Sequence, residues 1–214
     1  MHRGISLLAG VEYIHDNSKN TVSNQIWASF VTDCIGFPVS MIYRQDKGRP
    51  ALHEAEELHN KAGIQLQPES KPTKPIVNHG DVYFAFLMCS ELTNIDFRAS
   101  LRGKIDVLVV PEWNQDTETF GTLVEATAVD IHAFIVQCNN RLYGDSRVRA
   151  PGKEPWMRDV VRVKGGDEDY YVIGTLEIHN LRAFQSSYVS KADGQFKPVP
   201  DGFEISDSRK TYPM

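Results

Sequence analysis

Apolar and polar positions fall into short blocks along this chain, and the blocks switch between a two-residue and a helical period. Residues 5–13 and 25–32 read as neighbouring strands rich in β-branched side chains, joined by a polar turn over 15–20. A third such run, 39–43, follows the break Gly36-Phe37-Pro38. Residues 82–89, 105–110 and 133–138 are apolar with little alternation, the mark of strands buried on both faces. Residues 159–163 and 170–176 read as a closing hairpin. Helices fit between these runs. Residues 51–62 place Leu52, Ala55, Leu58 and Ala62 at helical spacing, with Gly63 just past the end. Residues 94–102 form a second helix, and 117–130 a third, with Phe120, Leu123, Val124 and Ala128 on one stripe. Strand, helix, buried strand, helix, buried strand predicts an α/β protein with helices packed on a sheet. Residues 67–79 contain Pro68, Pro72 and Pro75 and read as a long loop, and 186–214 as a polar tail.

Composition narrows the classes. The 214 residues carry 23 basic and 28 acidic side chains, a net charge of −5, which argues against a dedicated duplex-binding protein with its basic face. Hydrophobic residues make up 41%, and a chain this long buries roughly 70% of its unfolded surface, enough for a core without staples. The longest apolar run, 82–89, is far short of the ~20 residues a membrane helix needs. Residues 2–4 lead straight into a strand, without a secretory signal. Cys34, Cys89 and Cys138 make no closed disulfide set and no CxxC spacing, so a cytoplasmic setting is the default.

The chemistry concentrates around Cys89. A buried strand delivers it to its C-terminal end just before a helix, the edge where ligands bind in open α/β sheets. Backbone N–H groups of that turn favour a thiolate there. The competing reading is a small hydrophobe at a strand end. His53 and Glu57 stand four apart, but the second histidine of HExxH is missing and the other histidines are scattered; no metal and no cofactor is expected.

Several segments taken together resemble the carbon–nitrogen hydrolase (nitrilase/amidase) superfamily. Cys89-Ser90-Glu91 is similar to its Cys-aromatic-Asp/Glu nucleophile motif, and Asp106-Val107-Leu108-Val109-Val110-Pro111-Glu112-Trp113 to the next strand, which ends in Val-Pro and a Trp. Glu125 to Val136 resembles the family's Arg-Ala-x-Glu-Asn-x-x-Tyr-Val-Val segment. Cys138-Asn139-Asn140-Arg141 resembles its Asn-Arg turn, and Gly144-Asp145-Ser146-Arg147-Val148 its Gly-Gly-Ser-x-Ile. Upstream, Leu8-Ala9-Gly10-Val11 and Asn24-Gln25-Ile26-Trp27 resemble its Val-Gly and Tyr-Asn-Ser strands, and Tyr43 to Pro50 its Tyr-Arg-Lys-x-x-Leu-x-Pro. The similarity runs over about residues 4–185.

The resemblance implies the four-layer α-β-β-α sandwich of that family, N-terminally incomplete, over 1–185, with 186–214 as an oligomer contact. It implies Cys89 as nucleophile, Lys47 as the cation facing the developing negative charge, and Glu54, in preference to Glu57, as the carboxylate that holds the lysine. Glu112, Trp113 and Asn139 would line the pocket, with core packing the alternative for Trp113. The substrate would be a small amide or nitrile, and the chain would pair with a second copy. The family's general-base glutamate precedes the strand matched by 5–13. Residues 1–10 hold no carboxylate, and Glu12 lies in the wrong strand. The missing base implies part of a longer polypeptide, a base from another chain, or a non-catalytic interaction module. Nitrilase-like domains also occur C-terminal to bacterial reverse transcriptases of defence systems, the one setting in which nucleic acid would be a partner.

Overall fold

The computed structural model describes residues 4–67, 74–166, 171–187 and 194–210. The chain forms two compact units, Met1–Lys74 and Pro75–Met214.

In the first unit β1 (Leu7–Asp16), β2 (Thr21–Cys34) and β3 (Phe37–Asp46) form an antiparallel meander, and β4 (Gln65–Leu66) pairs parallel to β2. Along β2 the buried residues Val22, Ile26, Ala28 and Phe30 share one face, as a half-buried strand requires. The register between β1 and β2 slips between Val11 and Ile14, and Tyr13 takes φ 52 in this bulge. After β3 the chain turns through Pro50 into α1 (Leu52–Glu57), continued by a π-helical turn, Leu58–Ala62, that stops at Gly63 with φ 64. Only Leu58 of the expected apolar stripe is buried; it packs with Val22 and Leu66, while Leu52 stays exposed.

In the second unit β5 (Val77–His79), β6 (Val82–Phe86), β7 (Val107–Glu112), β8 (Phe134–Asn139), β9 (Ser146–Arg149) and β10 (Asp159–Val163) lie side by side in sequence order. The three central strands are parallel because α2 (Ile95–Leu101) and α3 (Thr117–Asp130) cross back between them. Asn94 caps α2 through the N–H groups of Asp96 and Phe97, and Asp116 caps α3 through that of Thr119. One sheet face, with Ala85, Leu87, Leu108, Val110, Ala133 and Ile135, packs against Leu101, Val124 and Ala128 of the helices.

Four expectations change. Residues 77–79, read as loop, form β5, while 68–73 lie outside the described residues. The strand at 82–89 ends at Phe86. The hairpin partner of β10 is β9, and 171–176 is not a strand; Tyr171 and Ile173 are exposed, so their β-branched and aromatic character meets no packing surface. The tail is preceded by α4 (Ile178–Ser186), and its stretch 194–210 packs on this unit through buried Phe196 and Arg209. Among the described residues no helix is long and apolar enough to cross a membrane.

Gly103, after α2, has φ 70 and offers its carbonyl to Ser206 N at 2.9 Å and Arg209 Nη1 at 2.7 Å. An added Cβ would run into the backbone carbonyl of Glu204. Gly103→Ala should therefore destabilise the protein by about 1–3 kcal/mol, through strained φ and a displaced tail. A urea midpoint equal to that of the parent would contradict this.

Candidate active site

Within the first unit the end of β3 presents Lys47, only 3% exposed. Its backbone N–H donates to Asn24 O at 2.8 Å, which fixes the end of β3 against β2. Lys47 Nζ donates to Glu54 Oε2 at 2.5 Å, and the backbone N–H of Ala51 donates to the same oxygen at 3.0 Å. Asn24 Nδ2 and the Tyr13 hydroxyl reach Oε1 at 3.1 and 3.5 Å. Burial works against the Glu54 carboxylate, but Lys47, Ala51 N–H and Asn24 together hold its pKa below the usual carboxylate value. The Pro50 turn and the first helical turn supply this geometry: they bring a carboxylate seven residues on back to the lysine. Glu57 instead pairs with Lys61 on the helix surface, 2.7 Å away. Glu12, in the β1 bulge, has its pKa raised by desolvation and by Glu54, with Lys47 opposing. Sequence reasoning passed over Tyr13 and took Asn24 only as part of a motif; the bulge that turns Tyr13 inward has no local signature.

Within the second unit Cys89 follows β6 and opens a 3-10 turn, Cys89–Thr93, with φ 47. A positive φ is uncommon for a residue with a Cβ and concentrates where a chain must present one side chain sharply. The thiol is half-buried. Glu91 turns inward and accepts the Met88 N–H at 2.9 Å, closing the turn. β6 pairs with β7 as far as Phe86↔Val109, continued by the bond from Leu87 N to Val109 O at 3.1 Å, and Cys89 follows two residues further on. Glu112 in turn pairs with Asn139 on β8. Cys89 thus follows the C-terminal end of β6, while Glu112 and Asn139 are the last residues of the adjacent parallel strands β7 and β8.

Their environments differ. Glu112 is 8% exposed; its Oε2 accepts from Gln137 Nε2 at 2.8 Å, and its Oε1 has no partner. Burial pushes its pKa up to about 7, with Gln137 and the Arg147 charge opposing and Asp145 adding to the rise. Arg147 pairs with Asp145 and lies over Gly121 of α3, where an added Cβ would come within 2.9 Å of its guanidinium. Asn139 spends its side chain on backbone: Nδ2 donates to Asn114 O at 2.8 Å and Gly144 O at 2.9 Å, while Oδ1 accepts from Asn114 N and Asn140 N. It staples the loop after β7 to the turn after β8. Trp113 is 56% exposed, so the core-packing alternative fails. Cys34 lies exposed at the end of β2, and the Cys138 thiol is pushed up by desolvation and by Glu112. Among the described residues no group of three or more His, Cys, Asp or Glu side chains could hold a metal ion; His53 stands against Glu56 on the surface.

The chain matches solved structures of one class. A cysteine-to-alanine variant of an amidase of the nitrilase superfamily from Nesterenkonia aligns with TM-score 0.54 and 16% identity, covering 77% of this chain and 59% of that one. The same enzyme in complex with butyramide aligns with TM-score 0.53 and 15% identity over 77% and 60%. A CN-hydrolase superfamily protein from Xanthomonas campestris, carrying an arsenic adduct in its active site, gives 0.52 and 12% over 76% and 60%. No family model and no curated protein matches the chain. The fold is that of the nitrilase superfamily. The chain spans about three fifths of the length of these solved chains.

Proposed function

We propose that this chain carries the nucleophile and the supporting cation of a carbon–nitrogen hydrolase acting on a small, non-peptide amide or nitrile. The observation that carries the reading is Cys89, held at positive φ on the C-terminal edge of the parallel strands. The nitrilase-type fold supports it, since the matched solved structures are amidases and CN-hydrolases. Cys89 attacks the carbonyl carbon and forms a thioester; the amine leaves, and water then releases the acid. Lys47, oriented by its ion pair with Glu54, is the cation this reading assigns to the oxyanion. Glu112, Trp113 and Asn139 border the pocket in this reading, Asn139 by fixing the loops beside it.

The test is acylation by p-nitrophenyl acetate followed by peptide mass mapping. Stoichiometric acetylation of Cys89 is expected, absent in Cys89→Ala. Lys47→Met should slow it by about 10²–10³, the loss expected for one oxyanion partner. An acetyl group confined to Cys34, Cys138 or a lysine, or an unchanged rate in Lys47→Met, would overturn the reading.

A further inference from the structure

His132, in the turn before β8, is fully buried and takes φ 54, an uncommon conformation for a residue with a Cβ. Its ring stacks on Phe184 of α4 at 5.8 Å and meets Phe196 and Phe203 of the tail edge-on at 6.5 and 5.7 Å. Both ring nitrogens are engaged: Nε2 lies 2.8 Å from the Lys197 carbonyl and Nδ1 3.1 Å from Gln185 Nε2. The roles of these groups are fixed from one end. A guanidinium only donates, so Arg209 Nη2, at 2.8 Å, holds Gln185 Oε1 on its side. The amide nitrogen therefore faces His132, donating to its carbonyl and to Nδ1. His132 is then neutral, with its one proton on Nε2 for the Lys197 carbonyl. The charged groups around this relay are Arg209 from the tail, Arg182 from α4 and Asp106 just before β7, the two arginines sharing that carboxylate. Asp130, two residues before His132, pairs with Arg98 at 3.7 Å. Among the described residues no carboxylate is bonded to the ring.

A second proton on the ring has no acceptor in this arrangement. On Nδ1 it would point at an amide nitrogen whose own protons point back, and the Gln185 oxygen that could receive it is bonded to Arg209. Turning the amide over would serve His132 but set N–H groups against the Arg209 guanidinium and leave the His132 carbonyl unpaired. We propose that His132, Gln185 and Arg209 form a proton-operated latch that holds α4 and the tail 194–210 on the Pro75–Met214 unit, closed while the ring is neutral and opened by its protonation. The latch is independent of the hydrolase reading, which uses none of the three residues. Burial pushes the His132 pKa below its ordinary value of 6.5, with Arg209 adding to the drop and the Lys197 carbonyl opposing. The closed state thus binds the proton less readily than the open one. The latch is fully closed above the ordinary histidine pKa, and each pH unit below it shifts the closed-to-open ratio by up to about tenfold until the depressed value is reached. Opening bares the aromatic rings of Phe184, Phe196 and Phe203. The Asp106 contribution fades only below the ordinary carboxylate pKa, so the two responses to acid fall in separate windows.

The experiment is NMR of the full chain carrying nitrogen-labelled histidine, read beside the fluorescence of anilinonaphthalene sulfonate from about pH 7.5 to about pH 4.5, the span in which histidines titrate. At neutral pH His132 should show a ring protonated at Nε2 alone. On acidification the dye should brighten several-fold, with the midpoint at which His132 titrates. His132→Asn, which tolerates positive φ and does not titrate, should show no such step. Gln185→Glu offers an acceptor to Arg209 and to a charged ring at once. It should raise the His132 midpoint by about one unit or more and abolish the dye step. A ring protonated at Nδ1 at neutral pH, a dye step retained in His132→Asn, or a titrating His132 with no dye response would overturn the latch. If His132→Asn does not fold, Gln185→Glu decides by the same two readouts, and a dye step unchanged from the parent overturns the proposal.

Discussion

Asp106→Ala should cost the protein about 3–5 kcal/mol, the penalty for stripping two buried guanidinium groups of the carboxylate they share. Asp106 is 0% exposed at the start of β7. Its Oδ1 accepts from Arg182 Nε at 2.9 Å and from Arg209 Nε and Nη2 at 3.0 and 2.8 Å. Its Oδ2 accepts from Arg182 Nη2 at 2.5 Å and the Tyr83 N–H at 2.9 Å. Arg209 also donates to Gln185 Oε1 at 2.8 Å, and Gln185 bonds to His132, so α4, the tail and the turn before β8 hang on one carboxylate. Without it two guanidinium groups remain in the interior with too few acceptors. The loss should appear as a lower urea midpoint in the Pro75–Met214 unit and early proteolysis of the tail. Burial alone would raise the Asp106 pKa, but Arg182, Arg209 and the Tyr83 N–H overcome it and hold it low. The unfolded chain therefore binds this proton more readily, and the cluster's contribution, complete above the ordinary carboxylate pKa, is lost as pH falls through the depressed value. A midpoint within experimental error of the parent, or no acid sensitivity, would contradict this role.

Glu112→Gln should do the opposite and stabilise the protein at alkaline pH. The folded-state pKa is raised from 4.5 to about 7 by burial. Below 4.5 the carboxyl is protonated in both states and the substitution should be nearly neutral. Between the two values the unfolded chain ionises first, so the parent loses stability as pH rises, and above 7 the penalty is complete. A shift of this size corresponds to about 3 kcal/mol. Chemical denaturation at low and high pH measures it directly: the advantage of Glu112→Gln should grow from near zero to its full value across this window. A difference independent of pH would mean that Glu112 is ionised in the folded state.

Much of the architecture was legible along the chain. The meander β1–β3, the three parallel strands and their two crossover helices follow from β-branched runs, unalternating apolar runs and helical stripes. Each of these patterns reflects burial of one face or of both, which is a local property of the sequence. Cys89 at a strand end was legible for the same reason, whereas Lys47 and the carboxylate near it were legible only through the resemblance of residues 43–50 to a family segment. Element types leave pairings open. That Glu54 and not Glu57 holds Lys47 depends on the Pro50 turn and on Asn24 and Tyr13 closing round one carboxylate. That β10 pairs with β9, and that α4 and the tail close on Asp106, depends on contacts between residues up to 103 positions apart. Above all, the sequence by itself determined that Glu112 ends a buried strand, whereas only the tertiary structure decided that its carboxyl loses water, faces Gln137 and is held near a neutral pKa. The reason is physical: burial and hydrogen-bond partners are set by what packs around a side chain, and packing is a property of the folded chain.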